Sequence, residues 1–135
     1  MRLLFWAVAL VAAGGAAYVR LAPHNTAQVH APIEDTQSAD TANSALRVVP
    51  ADEEMFEAAA AYMQNLPRTN VLAGDVASRR ISFVTRSRVF GFPDYTTLQL
   101  SDGTLRAYAR VRFGQSDMGV NRERLEGLLA AIKAG

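Results

Sequence analysis

The dipeptide Asp102-Gly103 stands between two runs of alternating character, Asp94–Leu100 and Thr104–Phe113. Asp-Gly favours the positive backbone angles of a two-residue hairpin turn, so these runs are expected to pair antiparallel. The turn also fixes the register: Leu100 faces Leu105, Leu98 faces Ala107 and Tyr95 faces Arg110. One side of the hairpin is then apolar. The other gathers Arg106, Tyr108 and Arg110 against Gln99, Thr97 and Tyr95. A chain built around this hairpin needs a partner layer for its apolar side, which the flanking segments must supply.

Upstream, Ser78–Val89 alternates in the same way, with Arg80, Ser82, Val84, Arg86 and Arg88 on one side. If its register sets Arg88 opposite Tyr95, three strands present a grid of arginine and tyrosine on one face. Two shorter stretches, Leu46–Val49 and Thr69–Ala73, are further strand candidates. Helical spacing occurs twice. Phe56, Ala59, Ala60 and Met63 form one apolar stripe, with Pro50 at its start and Pro67 at its end. Leu125, Leu128, Leu129 and Ile132 form the other, with Asn121 as the expected N-cap and Lys133 and Gly135 at the end. The order predicts an α+β domain over residues 46–135: an antiparallel β-sheet of about four strands with two helices packed on one face.

The N-terminus is of another kind. Leu3 to Val19 is apolar without a break, 17 residues that would span about 26 Å as a helix. Trp6 and Tyr18 lie near its ends and Pro23 stops it. Residues 1–22 therefore read as a transmembrane anchor. Gly15-Ala16-Ala17 leaves a cleaved signal segment as the rival reading. Either sends the remainder across the membrane, to the periplasmic side of a bacterial cell envelope. Residues 23–45 show no period and are rich in Ala, Thr, Asn, Asp and Ser. Such a composition predicts a flexible linker with a reach of about 26 Å.

The net charge of +1 conceals an uneven distribution. Residues 24–75 carry eight acids against Arg47 and Arg68, while residues 76–135 carry ten bases against five acids. A basic half suits an anionic partner: a lipid headgroup, an envelope polymer or an acidic protein. Nucleic acid is not expected beside an exported domain. There is no cysteine, and both histidines, His24 and His30, precede the domain. Cysteine and Ser-His nucleophiles, thiolate metal sites and the usual zinc sets are thereby excluded from the domain, and no metal or cofactor is expected. Asp94 and Asp117 each lie in a turn near arginine, surroundings that lower a carboxylate pKa and suit ion pairing better than general acid chemistry.

Two motifs carry a resemblance. Ser87-Arg88-Val89-Phe90-Gly91-Phe92-Pro93-Asp94-Tyr95 is the weaker. Arg112-Phe113-Gly114-Gln115-Ser116-Asp117-Met118-Gly119-Val120-Asn121-Arg122-Glu123-Arg124 is the specific one. Over roughly Val48–Ile132 the chain resembles the domain-of-unknown-function family numbered 1499, in its short, membrane-anchored bacterial form. The resemblance places the family's marked positions on Arg88, Gly91, Asp94, Arg112, Gly114, Ser116, Asp117, Gly119, Asn121 and Arg124. Val111 departs from the pattern, where serine often precedes the arginine. The resemblance implies no established activity or cofactor. The expected ligand-binding set is Arg86, Arg88, Asp94, Tyr95, Arg110, Arg112, Ser116, Asp117, Asn121 and Arg124. The expected role is a membrane-tethered binding or structural module, with an envelope enzyme acting on an anionic substrate as the alternative. Asp117 is also expected to reach Arg112 or Arg124 and so lock the last strand to the last helix.

Overall fold

A computed structural model describes residues 1–134. Helix α1 (Arg2–Leu21) is followed by one turn, α2 (Thr26–Val29), then strands β1 (Ala39–Thr41) and β2 (Ser44–Pro50). Helix α3 (Glu53–Gln64) leads to β3 (Thr69–Asp75), β4 (Arg80–Arg86), β5 (Pro93–Ser101) and β6 (Thr104–Val111), and α4 (Val120–Ala134) ends the chain. The strands form one antiparallel sheet in the order β1-β2-β6-β5-β4-β3. The fold is α+β, with six strands where about four were expected. One addition, β1, comes from the low-complexity stretch, where Ala42-Asn43 turns the chain back onto β2. Gly135 lies outside the described residues.

Helices α3 and α4 cover one face of the sheet. Phe56, Met63, Phe83, Leu98, Leu105 and Leu128 are fully buried between the layers. Gly127 of α4 leaves room for the Tyr62 ring of α3. Asp52 caps α3 by accepting from the Met55 amide at 2.9 Å, and Glu53 and Glu54 occupy the positive end of the helix dipole. Pro50 ends β2 instead of opening the helix.

The β5–β6 register is the predicted one, with Leu100 opposite Leu105 and Tyr95 opposite Arg110. The β4–β5 register is not: Val84, not Arg88, faces Tyr95. Strand β4 stops at Arg86 because Ser87 and Phe92 close the connection on each other. The Ser87 amide donates to the Phe92 carbonyl at 2.9 Å, and the Phe92 amide donates to Ser87 Oγ at 2.9 Å. Arg88 thus falls in the loop, exposed and off the grid.

The largest departure concerns residues 23–45, expected to be a tether. Residues 22–36 lie as a strap across the sheet face opposite the helices. Ala22, Val29 and Ile33 are each only 7 % exposed. The strap is tied mainly through its carbonyls. Arg112 holds those of Ala22 and Pro23, Arg110 holds Val29, and Arg106 holds Asp35. Gln99 both donates to the Ile33 carbonyl and accepts from its amide. These bonds offset the ordering entropy that composition alone would leave uncompensated.

Helix α1 has 20 residues, an 18-residue window of it has a mean hydropathy of 1.7, and none of its residues is buried. At 1.5 Å per residue it is about 30 Å long, the length and composition of a membrane anchor or a signal sequence.

Candidate functional site

The expected site residues collect at one end of the sheet, where β4 and β6 finish and β5 begins, but on its two opposite faces. Alternation along the strands divides them. Tyr95, Arg110 and Arg86 point to the strap, Arg112 reaches it from just beyond β6, and Asp94 points to the helices.

On the helix face, Asp117 directs both carboxylate oxygens into the start of α4. Oδ1 accepts from the Gly119 amide at 2.8 Å. Oδ2 accepts from the Asn121 amide at 3.3 Å and from Asn121 Nδ2 at 2.8 Å. The fully buried Asn121 passes the connection on, its Oδ1 accepting from Arg124 at 2.5 Å. Arg124 in turn reaches Asp94 at 3.4 Å. Asn121 is therefore not the N-cap. It sits inside the first turn, and Asp117 caps from outside. Asp117 reaches Arg124 only through Asn121 and makes no bond to Arg112. The amides that would otherwise offer an anion site hold this carboxylate. Ser116 contributes only Oγ, accepting from the Met118 amide at 3.3 Å.

The two carboxylates shift in opposite directions. Burial pushes the pKa of Asp117 up, but the bonds from Asn121 and from the loop amides outweigh it and leave it low. For Asp94, burial outweighs the Arg124 guanidinium and raises the pKa, with the Asp117 charge adding to the rise. The expectation that arginine would lower both fails for Asp94, because 3.4 Å is too long a contact to offset its burial.

On the strap face, Arg110 is the central group. Its guanidinium donates to the Val29 carbonyl at 2.6 Å, the Tyr108 carbonyl at 3.0 Å and Thr97 Oγ1 at 3.1 Å. It lies over the Tyr108 ring, 4.5 Å from the centroid. Burial lowers its pKa, and no described carboxylate bonds to it. A relay runs beneath it. His30 Nδ1 meets Ser82 Oγ at 2.7 Å, Ser82 meets Thr97 at 2.8 Å, and Thr97 donates to the Val29 carbonyl at 3.0 Å. Because the Thr97 proton is spent on Val29, the whole relay is satisfied only when His30 carries its proton on Nδ1. His24 has the reverse tautomer. Its Nδ1 faces the Tyr95 hydroxyl at 2.6 Å and an Arg112 N–H at 3.4 Å, so it accepts, and the neutral ring is the form these contacts favour. Burial, then the Arg112 and Arg86 charges, lower its pKa; burial, then Arg80, lower that of His30.

Between strap and sheet is a cleft of about 460 Å³ lined by Pro23, Asn25, Gln28, Val29, Tyr95, Tyr108, Arg110, Val111 and Arg112. None of these lining residues is acidic. Among the described residues, ion pairs form at Arg47, Arg79 and Arg124, with Asp40 and Glu126, Glu53, and Asp94 respectively. By contrast Arg86, Arg106, Arg110 and Arg112 hydrogen-bond neutral acceptors alone. Tyr108 lies on this face as its alternation predicts, whereas Pro23, Asn25, Gln28 and Val29 in the cleft wall are not foreshadowed by any pattern in the strands. The available signal was slight: Asn25 ahead of a single helical turn, and two apolar residues, Val29 and Ile33, one turn apart.

No group of three or more His, Cys, Asp or Glu side chains is placed to hold a metal ion among the described residues. A comparison with curated proteins finds no match. The profile of the family described as "Protein of unknown function (DUF1499)" matches residues 19–132, which takes in the strap, both faces of the site and most of the last helix. On that match the chain belongs to the DUF1499 family, proteins of unknown function.

Proposed function

We propose that this protein is a membrane-tethered binding module, its domain on the extracytoplasmic side, which takes a small anion into the strap–sheet cleft. One observation carries the reading: the charged groups lining the cleft are two guanidiniums, Arg110 and Arg112, neither neutralised by a described carboxylate. The cleft volume of about 460 Å³ suits a small ligand. Tyr108 and Tyr95 offer it aromatic surface. Arginine forks favour phosphate and carboxylate. Pro23 and Arg112 put the cleft beside the end of α1, so the phosphate of a lipid headgroup is the anion nearest at hand. An envelope enzyme using Asp94 and Asp117 has less support, since Asp117 is committed to α4 and Asp94 faces Arg124.

The test is native mass spectrometry of the full chain extracted from its own membranes, followed by titration of stripped protein with phosphate- and carboxylate-bearing probes. An anion retained by the native chain but lost from Arg110→Gln and Arg112→Gln is the expected result. Arg106→Gln, which loses a strap tie without changing the cleft lining, should keep it. Equal retention by all three variants would overturn the reading.

A further inference from the structure

The Ser87–Phe92 loop departs from the usual economy of a soluble surface. It is closed by its own backbone bonds, and Arg86 fixes it further by donating to the Gly91 carbonyl at 3.0 Å. Yet this ordered loop holds Val89, Phe90 and Phe92 out at 70 %, 60 % and 40 % exposure. The two phenylalanine rings stack on each other with centroids 5.4 Å apart, and the loop gives them no other aromatic partner. A rigid apolar tip of this kind marks an interaction surface.

Its position identifies the partner. Arg20, in the last turn of α1, donates from Nε to the Phe90 carbonyl at 2.9 Å and from its terminal nitrogen to the Val89 carbonyl at 3.1 Å. Gly91 makes this approach possible. Its φ is +69°, and a Cβ there would lie 3.2 Å from Arg20 Nε. On the other side of the same turn, the Tyr18 ring meets Phe113, just beyond β6, edge-on at 6.2 Å. The end of α1 is thus held between two loops of the domain, and whatever depth Tyr18 and Arg20 take in a bilayer, the loops take too. Tyrosine and arginine at the end of an apolar helix settle in the interfacial layer.

We infer that Val89, Phe90 and Phe92 insert into the acyl–headgroup boundary of the bilayer that α1 spans, seating the domain on the membrane by a second, non-helical contact. Arg88, exposed at the loop's shoulder, lies where lipid phosphates would meet it. The Asp102-Gly103 turn, at the opposite end of β5, stands about 27 Å further out along the strand. This inference rests on the anchor in the reading above, not on the anion cleft.

The experiment reconstitutes the full chain into vesicles of phosphatidylcholine and phosphatidylglycerol and reads tryptophan fluorescence against brominated lipids. Trp6 of the unaltered chain reports the anchor. In a Trp6→Phe background, Phe90→Trp and, separately, Phe92→Trp report the loop, and Thr104→Trp reports the far end. Blue-shifted loop emission, quenched more by bromine near the top of the acyl chain than near its end, with Thr104→Trp unquenched, is the expected result. Loop tryptophans with water-like emission and no quenching, while Trp6 is quenched, overturn the loop contact and leave the anchor standing. An unquenched Trp6 overturns both. Thr104→Trp quenched as strongly as the loop overturns a seating by this loop alone.

Discussion

The two faces of the sheet are covered by different means. The helix face buries Phe56, Phe83, Leu98 and Leu105 completely, and the arginines bordering it, Arg47, Arg79 and Arg124, find carboxylates. The strap face buries few apolar side chains, and its arginines hold main-chain carbonyls. The first covering draws on apolar area, which scales with what is removed from water. The second depends on a handful of charge-assisted bonds to a segment with no strong preference of its own. On these grounds the strap is the weaker cover, the one expected to open while the helix face stays shut.

The heaviest blow to that contrast should come from Phe56→Ala. A fully buried phenylalanine cut to alanine costs about 3–5 kcal/mol, which denaturant unfolding of the full chain in detergent would register as a global loss. Next is Arg110→Met, which removes three bonds and leaves the Val29 carbonyl with Thr97 Oγ1 alone as donor; about 1–3 kcal/mol is expected. Here hydrogen exchange is the sharper readout. Residues 24–35 should lose protection while α3 and α4 keep theirs, and equal loss in both would show that the faces open together. Asp117→Asn should cost about 1 kcal/mol as a weakened cap, and an unaltered unfolding curve would count against Asp117 as the group that holds the start of α4.

A smaller effect is set by pH. The folded pKa of His24 lies below the ordinary imidazole value, so its contribution to stability is complete above about pH 6.5 and is lost as pH falls through the folded value. Protonation there also sets a cation beside Arg112 and Arg86 and removes the acceptor for Tyr95. Proteolysis within the strap should therefore rise between about pH 7.5 and about pH 5, and His24→Gln should reduce that rise to the part left by His30, whose pKa is lowered as well. Asp94, whose pKa is raised by burial, acts in the opposite sense. Its protonation on acidification favours the folded form, so the helix side should not loosen with the strap. Least of all, Arg88→Gln, exposed and off the sheet, should move stability by no more than about 0.5 kcal/mol.

The helix-covered half was legible in the sequence because its covering repeats. The stripes from Phe56 to Met63 and from Leu125 to Ile132 occur where periodicity put them, and Asp102-Gly103 fixed the hairpin register. The β4–β5 register was missed because nothing in Ser87–Pro93 announces that Ser87 and Phe92 bond to each other. Arg88 and Tyr95 were thereby assigned as neighbours. The strap was missed for a deeper reason. A carbonyl is present at every residue, so a segment held by its carbonyls needs no side-chain pattern, and low-complexity sequence conceals an ordered path. Asn121 was assigned the cap because asparagine before a helix usually is one; here Asp117, four residues earlier, has the stronger acceptor and displaces it inward.

The clasp of Arg112 on Ala22 and Pro23 leaves no slack between α1 and the domain. A free coil of the linker's length would let the domain sweep a dome of radius about 26 Å above a bilayer. With the strap down that dome collapses to a plane. With α1 as the proposed anchor, a soluble partner would have to come to the lipid surface to be met, whereas a neighbour in the same leaflet would collide with the domain by lateral diffusion alone. Opening the strap would exchange that two-dimensional search for a three-dimensional one.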